Sequence, residues 1–236
     1  MKQIRPIWGF FKAINRPKYK LAKSSDKALA SSWFLVSLKS NLKYDYFFSA
    51  LGQGCLFLNA LIDILNKSYS DSVRINKNHY ADAVAKREIG KLDISIFSEV
   101  SKHCIIIENK IYNAGDMPRQ LPRYYDYMVA KGFIVDAIIY LPLQQTKHPD
   151  ISDWTQDDKH HVLPILCHLP AYTRDGTPNL VDNWIIPCST ITNDIDCHSI
   201  LRQYASLIKS LNKNTMDKII ISKFFKYMTK IWKHRI

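Results

Sequence analysis

Residues 91–110 read KLDISIFSEVSKHCIIIENK, and the alternation inside this stretch decides how the rest of the chain is read. Side chains of an extended chain point alternately to opposite faces, so Leu92, Ile94 and Ile96 take one face of a first strand and Asp93, Ser95 and Phe97 the other. A second strand opens with the apolar run Cys104–Ile107 and stops abruptly in Glu108, Asn109 and Lys110. The same period places Glu108 and Lys110 together and Asn109 opposite them. Ser98–His103 is polar and short enough for a hairpin, which brings Asp93 beside Glu108. Two carboxylates desolvated side by side at a sheet end repel each other. A divalent cation and a neighbouring ammonium relieve that conflict.

Asp93 followed by Glu108-x-Lys110 at the end of the next strand resembles the core of the PD-(D/E)XK nuclease superfamily. Three further segments are similar to one bacterial branch of it: Gly90-Lys91-Leu92-Asp93 at the start of the first strand, Ile107 to Ile111 at the end of the second, and QLPRYYDY at Gln120–Tyr127. The resemblance covers roughly residues 50 to 141. It implies an α/β fold, with an αββαβ restriction-endonuclease-like core in which helices flank a mixed central sheet. It also implies a metal-dependent phosphodiesterase, with DNA as the usual substrate. On that reading Asp93 and Glu108 hold Mg²⁺ (or Mn²⁺), joined by the backbone carbonyl of Asn109. Lys110 assists the attacking water, and Gln120 points at the reacting centre. Arg119, Arg123 and Tyr124 lie on the helix that packs against the sheet or touches phosphates. In the resembled proteins a helix ahead of the sheet often adds a Glu, but this chain has no Glu before position 88. Asp63 and Glu88 are the accessory candidates left, and one ion is expected rather than two.

Charge points the same way. Lys and Arg number 33 against 21 Asp and Glu, a formal net charge of +12. A surface that basic favours polyanionic partners, nucleic acid foremost. Residues 1–48 read as a basic arm followed by a short helix, in which lysines and arginines alternate with Trp8, Phe10, Phe11 and Tyr19. That composition suits phosphate contacts combined with base stacking, although an arm that is merely solvated shares it. Residues 49–236 read as the nuclease-like domain with a helical extension. The five cysteines are odd in number, scattered and without a CxxC pair, so reduced thiols and a cytoplasmic setting are expected. No apolar run approaches the ~18 residues of a membrane span.

Along the chain, Leu58, Leu61, Ile62 and Leu65 form the apolar stripe of a helix over 55–67, with Asp63 between them. Asp116 is placed to cap a helix that runs to about residue 131, and Pro122 requires that helix either to begin near Gln120 or to kink. Phe133–Leu141 reads as a buried strand ended by Pro142. Val162–Leu169 and Trp184–Ile191 read as two further strands. Asp196–Leu211 and Asp217–Arg235 read as helices, the last presenting Lys223, Lys226 and Lys230 on a face able to follow a phosphate backbone. His160, His161, Cys167 and His168 lack the spacing of a closed tetrahedral zinc site and are read as loop and strand residues. The competing function is a catalytically inactive protein that keeps the nuclease fold and binds nucleic acid or a partner. A homodimer or a partner protein is compatible with either reading.

Overall fold

The computed structural model describes residues 56–68, 74–87, 89–110, 115–193 and 195–212. The arm at 1–48, Glu88 and the helix expected over 217–235, with Lys223, Lys226 and Lys230, lie outside the described residues. Helix α1 (Leu56–Ser68) leads through a 3₁₀ turn at Lys77–Tyr80 into β1 (Val84–Arg87), β2 (Ile94–Phe97) and β3 (His103–Lys110). Helix α2 (Gln120–Ala130) then crosses to β4 (Ile134–Pro142). After it come α3 (Gln156–Val162), β5 (Leu166–His168), α4 (Ile186–Ile191) and α5 (Ile195–Asn212).

The strands lie in the order β1-β2-β3-β4-β5. The first three pair antiparallel, and β3-β4 and β4-β5 pair parallel. A parallel pair needs a crossover, and α2 supplies it between β3 and β4. The outcome is the mixed sheet flanked by helices that the sequence implies, with β1 added as an antiparallel margin.

The apolar run of β3 is continuous because helices cover both faces of the sheet. Ile105 and Ile107 join Ile94, Ile96, Ile139 and the α1 stripe Leu58, Leu61, Ile62 and Leu65 in one cluster. Cys104 and Ile106 join Phe97, Ile138 and Tyr140 with Leu121, Tyr124 and Met128 of α2 in the other. Each fully buried aliphatic side chain contributes about 1.5–3 kcal/mol. Leu92 departs from the expected alternation and packs in the α2 cluster with Phe97. The reason is that β2 starts only at Ile94, after a left-handed turn at Gly90 and Lys91 (φ 57° and 72°).

That turn aims Asp93. Leu92 N–H bonds back to the Ile89 carbonyl at 3.0 Å, and the Gly90 Cα lies flat against the Tyr127 ring, where a Cβ would overlap ring atoms. Gly90→Ala therefore meets both a left-handed backbone and a steric wall. A loss of about 1–3 kcal/mol is expected in denaturant unfolding, with partial recovery when Tyr127→Ala is added. Unaltered stability of the single variant would show that the turn relaxes freely.

Two of the expected strands are not strands. Trp184–Ile191 is helical: a π turn over Val181–Ile185 continues into α4, and Pro187 falls just past the junction of the two. The Trp184 indole is buried and donates to the Phe57 carbonyl at 2.7 Å, which fastens this segment to α1. Only Leu166–His168 of the segment 162–169 is extended. Leu163–Ile165 ahead of it form a 3₁₀ turn, and Val162 ends α3, whose start is a capping box between Thr155 and Asp158 that the polar composition concealed.

Candidate active site

Glu108 and Lys110 end β3 on the face covered by α2, and that helix delivers Gln120 onto them. Three features bring Gln120 there. Arg119 adopts a left-handed conformation (φ 45°) directly before the helix. Its guanidinium makes two bonds to the Asp158 carboxylate, from Nε to Oδ2 at 2.8 Å and from the terminal nitrogen to Oδ1, and its N–H donates to Asp153 at 2.7 Å. The bond to Arg119 holds the Asp158 carboxyl well below the usual range. Finally, Pro122 falls in the first turn, where its missing donor is one of the groups left unbonded in any helix. Pro122 thus starts the helix at Gln120 instead of kinking it.

At the centre Glu108 is 0% exposed and Lys110 1%. The Lys110 ammonium lies 3.0 Å from Glu108 Oε1 and 3.0 Å from Asp116 Oδ1. It donates to Gln120 Oε1 at 2.9 Å and to the Gly115 carbonyl at 3.1 Å. Gln120 Nε2 donates to Glu108 Oε1 at 3.0 Å and to the Tyr124 hydroxyl at 2.8 Å, while its Oε1 also accepts the Met117 N–H at 3.1 Å. These contacts fix the amide orientation of Gln120: its oxygen faces the cation and its nitrogen the carboxylate.

Asp93 closes the arrangement from the residue directly ahead of β2. Its Oδ2 accepts the Asn109 backbone N–H at 3.0 Å, one residue from Glu108. Burial, followed by the charges of Glu108 and Asp93, pushes the Tyr124 phenol far above its ordinary value, so both carboxylates act on one hydroxyl. Arg123 is exposed and also acts electrostatically on Tyr124.

Of the residues singled out in the sequence, Asp93, Glu108, Asn109, Lys110, Gln120 and Tyr124 thus lie together. Asp63 lies apart: its side chain is 52% exposed and ion-paired with Lys77 at 2.6 Å. Sequence reading missed Asp116 and Tyr140. Asp116, read as a helix cap, instead takes the Lys110 ammonium, the Tyr140 hydroxyl at 3.2 Å and the Asp150 N–H at 3.0 Å. Tyr140 stands beside Glu108 in the β3-β4 register. Burial and then the Asp116 charge hold its phenol protonated, as a donor. A tyrosine in an otherwise aliphatic buried strand was the available signal, since its hydroxyl requires a partner.

Two carboxylates, Glu108 and Asp116, therefore meet one ammonium, a third, Asp93, is bonded to the Asn109 amide next to them, and Lys110 is the one buried Lys or Arg among the described residues. A negative excess among hard oxygen donors, inside a chain of net charge +12, fits a hard divalent cation. Asp93, Glu108 and Asp116 do not converge as a trio of ligand atoms within 4.8 Å.

No curated protein and no solved structure matches the chain. The family model of the PD-(D/E)XK nuclease superfamily matches residues 25–226. That span contains both strands of the Asp93…Glu108-x-Lys110 pattern, the crossover helix and the sheet that joins them. With the mixed five-stranded sheet and the acid-lysine centre at the end of β3, it establishes that the chain belongs to the PD-(D/E)XK nuclease superfamily.

Proposed function

We propose that the chain is a nuclease that hydrolyses phosphodiester bonds of DNA with the help of one divalent cation, Mg²⁺ or Mn²⁺. The observation that carries this reading is the buried knot of Glu108, Lys110 and Gln120, with Asp93 bonded to the adjoining Asn109 amide. A lysine buried between two carboxylates and a glutamine is costly as scaffolding, because apolar residues of similar size would fill that volume more cheaply.

Asp93, Glu108 and the Asn109 carbonyl would hold the ion. When bound, it supplies Lewis acidity: it acidifies water and offsets charge on the scissile phosphate. The chain's own groups do the rest. Lys110 presents a fixed ammonium to the attacking water and to the negative charge that grows in the transition state. Gln120, locked by its four hydrogen bonds, keeps that ammonium and the Glu108 carboxylate in register. Asp116, itself held by the Tyr140 hydroxyl, gives the ammonium a second carboxylate partner. Arg123, exposed beside the site, is a phosphate contact in this reading, as are Lys223, Lys226 and Lys230 of the C-terminal segment. Arg119, tied to Asp158, serves to place the helix start. The basic residues 1–48 would form an arm along the same polyanion, separate from the domain at 49–236.

The test uses the full chain with supercoiled plasmid and with single-stranded DNA, in Mg²⁺, Mn²⁺ or EDTA. Cleavage is expected with either ion and none in EDTA. Binding measured in EDTA should weaken steeply with salt, with a log–log slope of about −0.9 per phosphate contacted. Salt-dependent binding without cleavage under any metal would instead identify an inactive binding module. A flat salt response with no cleavage would remove nucleic acid as the partner.

A further inference from the structure

At the other end of β3 lies a second cluster that this reading does not use. His103 opens the strand, Asp136 lies in β4, and His79 belongs to the 3₁₀ turn before β1. One ligand atom from each lies within 4.8 Å of the other two, and among the described residues no other such trio of His, Cys, Asp or Glu is present. His103 Nδ1 is 2.9 Å from Asp136 Oδ2 and 3.0 Å from Oδ1. The imidazole rings of His79 and His103 face each other with centroids 3.7 Å apart.

The fold builds this cluster by specific devices. The register of β3 on β4 shifts between Cys104 and Ile105, so Val135 and Ala137 face successive residues of β3 and Asp136 is the extra residue of a bulge. A bulge re-aims the side chain it carries, and this one turns a carboxylate toward both imidazoles. The Tyr80 hydroxyl donates to Asp136 Oδ2 at 2.6 Å and so orients it. The Ser101 hydroxyl donates to the His79 carbonyl at 2.6 Å and accepts the His103 N–H at 3.3 Å, which joins the backbones of the two histidines. His103 and Asp136 are only 15% and 16% exposed, so their groups are largely withdrawn from water.

We infer that His79, His103 and Asp136 form a transition-metal site, for Zn²⁺ first, separate from the Asp93–Glu108 centre. Two imidazoles and one carboxylate are the donor set of three-ligand zinc sites that keep a fourth position for water. They suit Zn²⁺ better than Mg²⁺, which prefers oxygen alone. Ligands around a tetrahedral zinc stand about 3.3 Å apart, so the observed spacing needs only small side-chain rotations. Binding replaces the His103–Asp136 hydrogen bond with two bonds to a common ion. The Tyr80 bond to Asp136 then becomes the outer hydrogen bond that orients a ligand. His103 and Glu108 stand five positions apart in β3, roughly 16 Å of strand, so the two centres load independently. The ion would clamp the 3₁₀ turn to the middle of the sheet.

The test strips the full chain of metal with EDTA, exchanges it into chelator-free buffer, and titrates Zn²⁺ in competition with a chromophoric chelator. Co²⁺ serves as a spectroscopic probe. One tight equivalent is expected, with tetrahedral Co²⁺ absorption and a raised Tm. It should persist in Glu108→Gln. It should weaken by about 10–100-fold in Tyr80→Phe and by more in His79→Ala and His103→Gln. His79 sits on a half-exposed turn, so its variant decides the matter if His103→Gln does not fold, as judged by circular dichroism. Absence of the tight equivalent, or equal affinity in folded His79→Ala, overturns the site. Loss of binding in Glu108→Gln would assign the ion to the other centre.

Discussion

Glu108→Gln should abolish metal-dependent cleavage and leave DNA binding intact. The substitution keeps the shape of the side chain and the acceptor for Gln120 Nε2. It also leaves Lys110 with Asp116, Gln120 and the Gly115 carbonyl. What disappears is the negative charge at the end of β3, half of the proposed carboxylate pair. Removing one electrostatic contributor of this kind typically costs about 10²–10³ in rate, and losing a metal ligand should reach or pass the upper figure. Plasmid nicking in Mg²⁺ gives the rate, and fluorescence anisotropy with EDTA gives the binding. Cleavage at the wild-type rate would remove Glu108 from the chemistry, and with it the centre as described.

Lys110→Met should be the most destabilising single change at the site. Methionine fills most of the volume, but Glu108 then loses its ammonium at 0% exposure, with Asp116 close by. Breaking a buried pair by removing one partner costs about 3–5 kcal/mol. For a chain of this size that is a fall in Tm of roughly 10 °C, at about 2–4 °C per kcal/mol. The deficit should shrink toward acid pH, where a carboxylate deprived of its cation takes up a proton. Combining Lys110→Met with Glu108→Gln should restore part of the stability and none of the activity. Calorimetry of the two variants against wild type separates the outcomes. A Tm within 1–2 °C of wild type in the single variant would mean that water reaches the pair.

The part of the fold that the sequence disclosed is the part governed by short-range rules. Period-two alternation placed Glu108 and Lys110 on one face, and a five-residue polar link made the β2-β3 hairpin. The α1 stripe at Leu58, Leu61, Ile62 and Leu65 packs where its spacing points. Non-local choices were hidden. Trp184–Ile191 has the β-branched content of a strand, but the Trp184 indole finds its acceptor 127 residues away on α1, and the segment is helical. At the site, the strand period puts Glu108 and Lys110 on one face and Pro122 marks the helix start at Gln120, whereas Asp93 is brought beside them by the left-handed turn ahead of β2, which alternation does not show. Asp116 is not legible, because a loop delivers it and its partners Lys110, Tyr140 and Asp150 come from three separate stretches. His79, His103 and Asp136 are likewise spread over 58 positions and meet only through a bulge, which period counting cannot anticipate.

The sheet tapers toward its margins. Its inner strands β3 and β4 run eight and nine residues, whereas the outer ones, β1 and β5, have four and three. Lys86 further blunts the β1 side, its ammonium lying 5.2 Å from the centre of the Phe97 ring. A neighbouring molecule that tried to extend the sheet would find a ladder too brief and too charged to nucleate growth. Concentrated solutions of the folded chain should therefore resist fibril formation by strand addition.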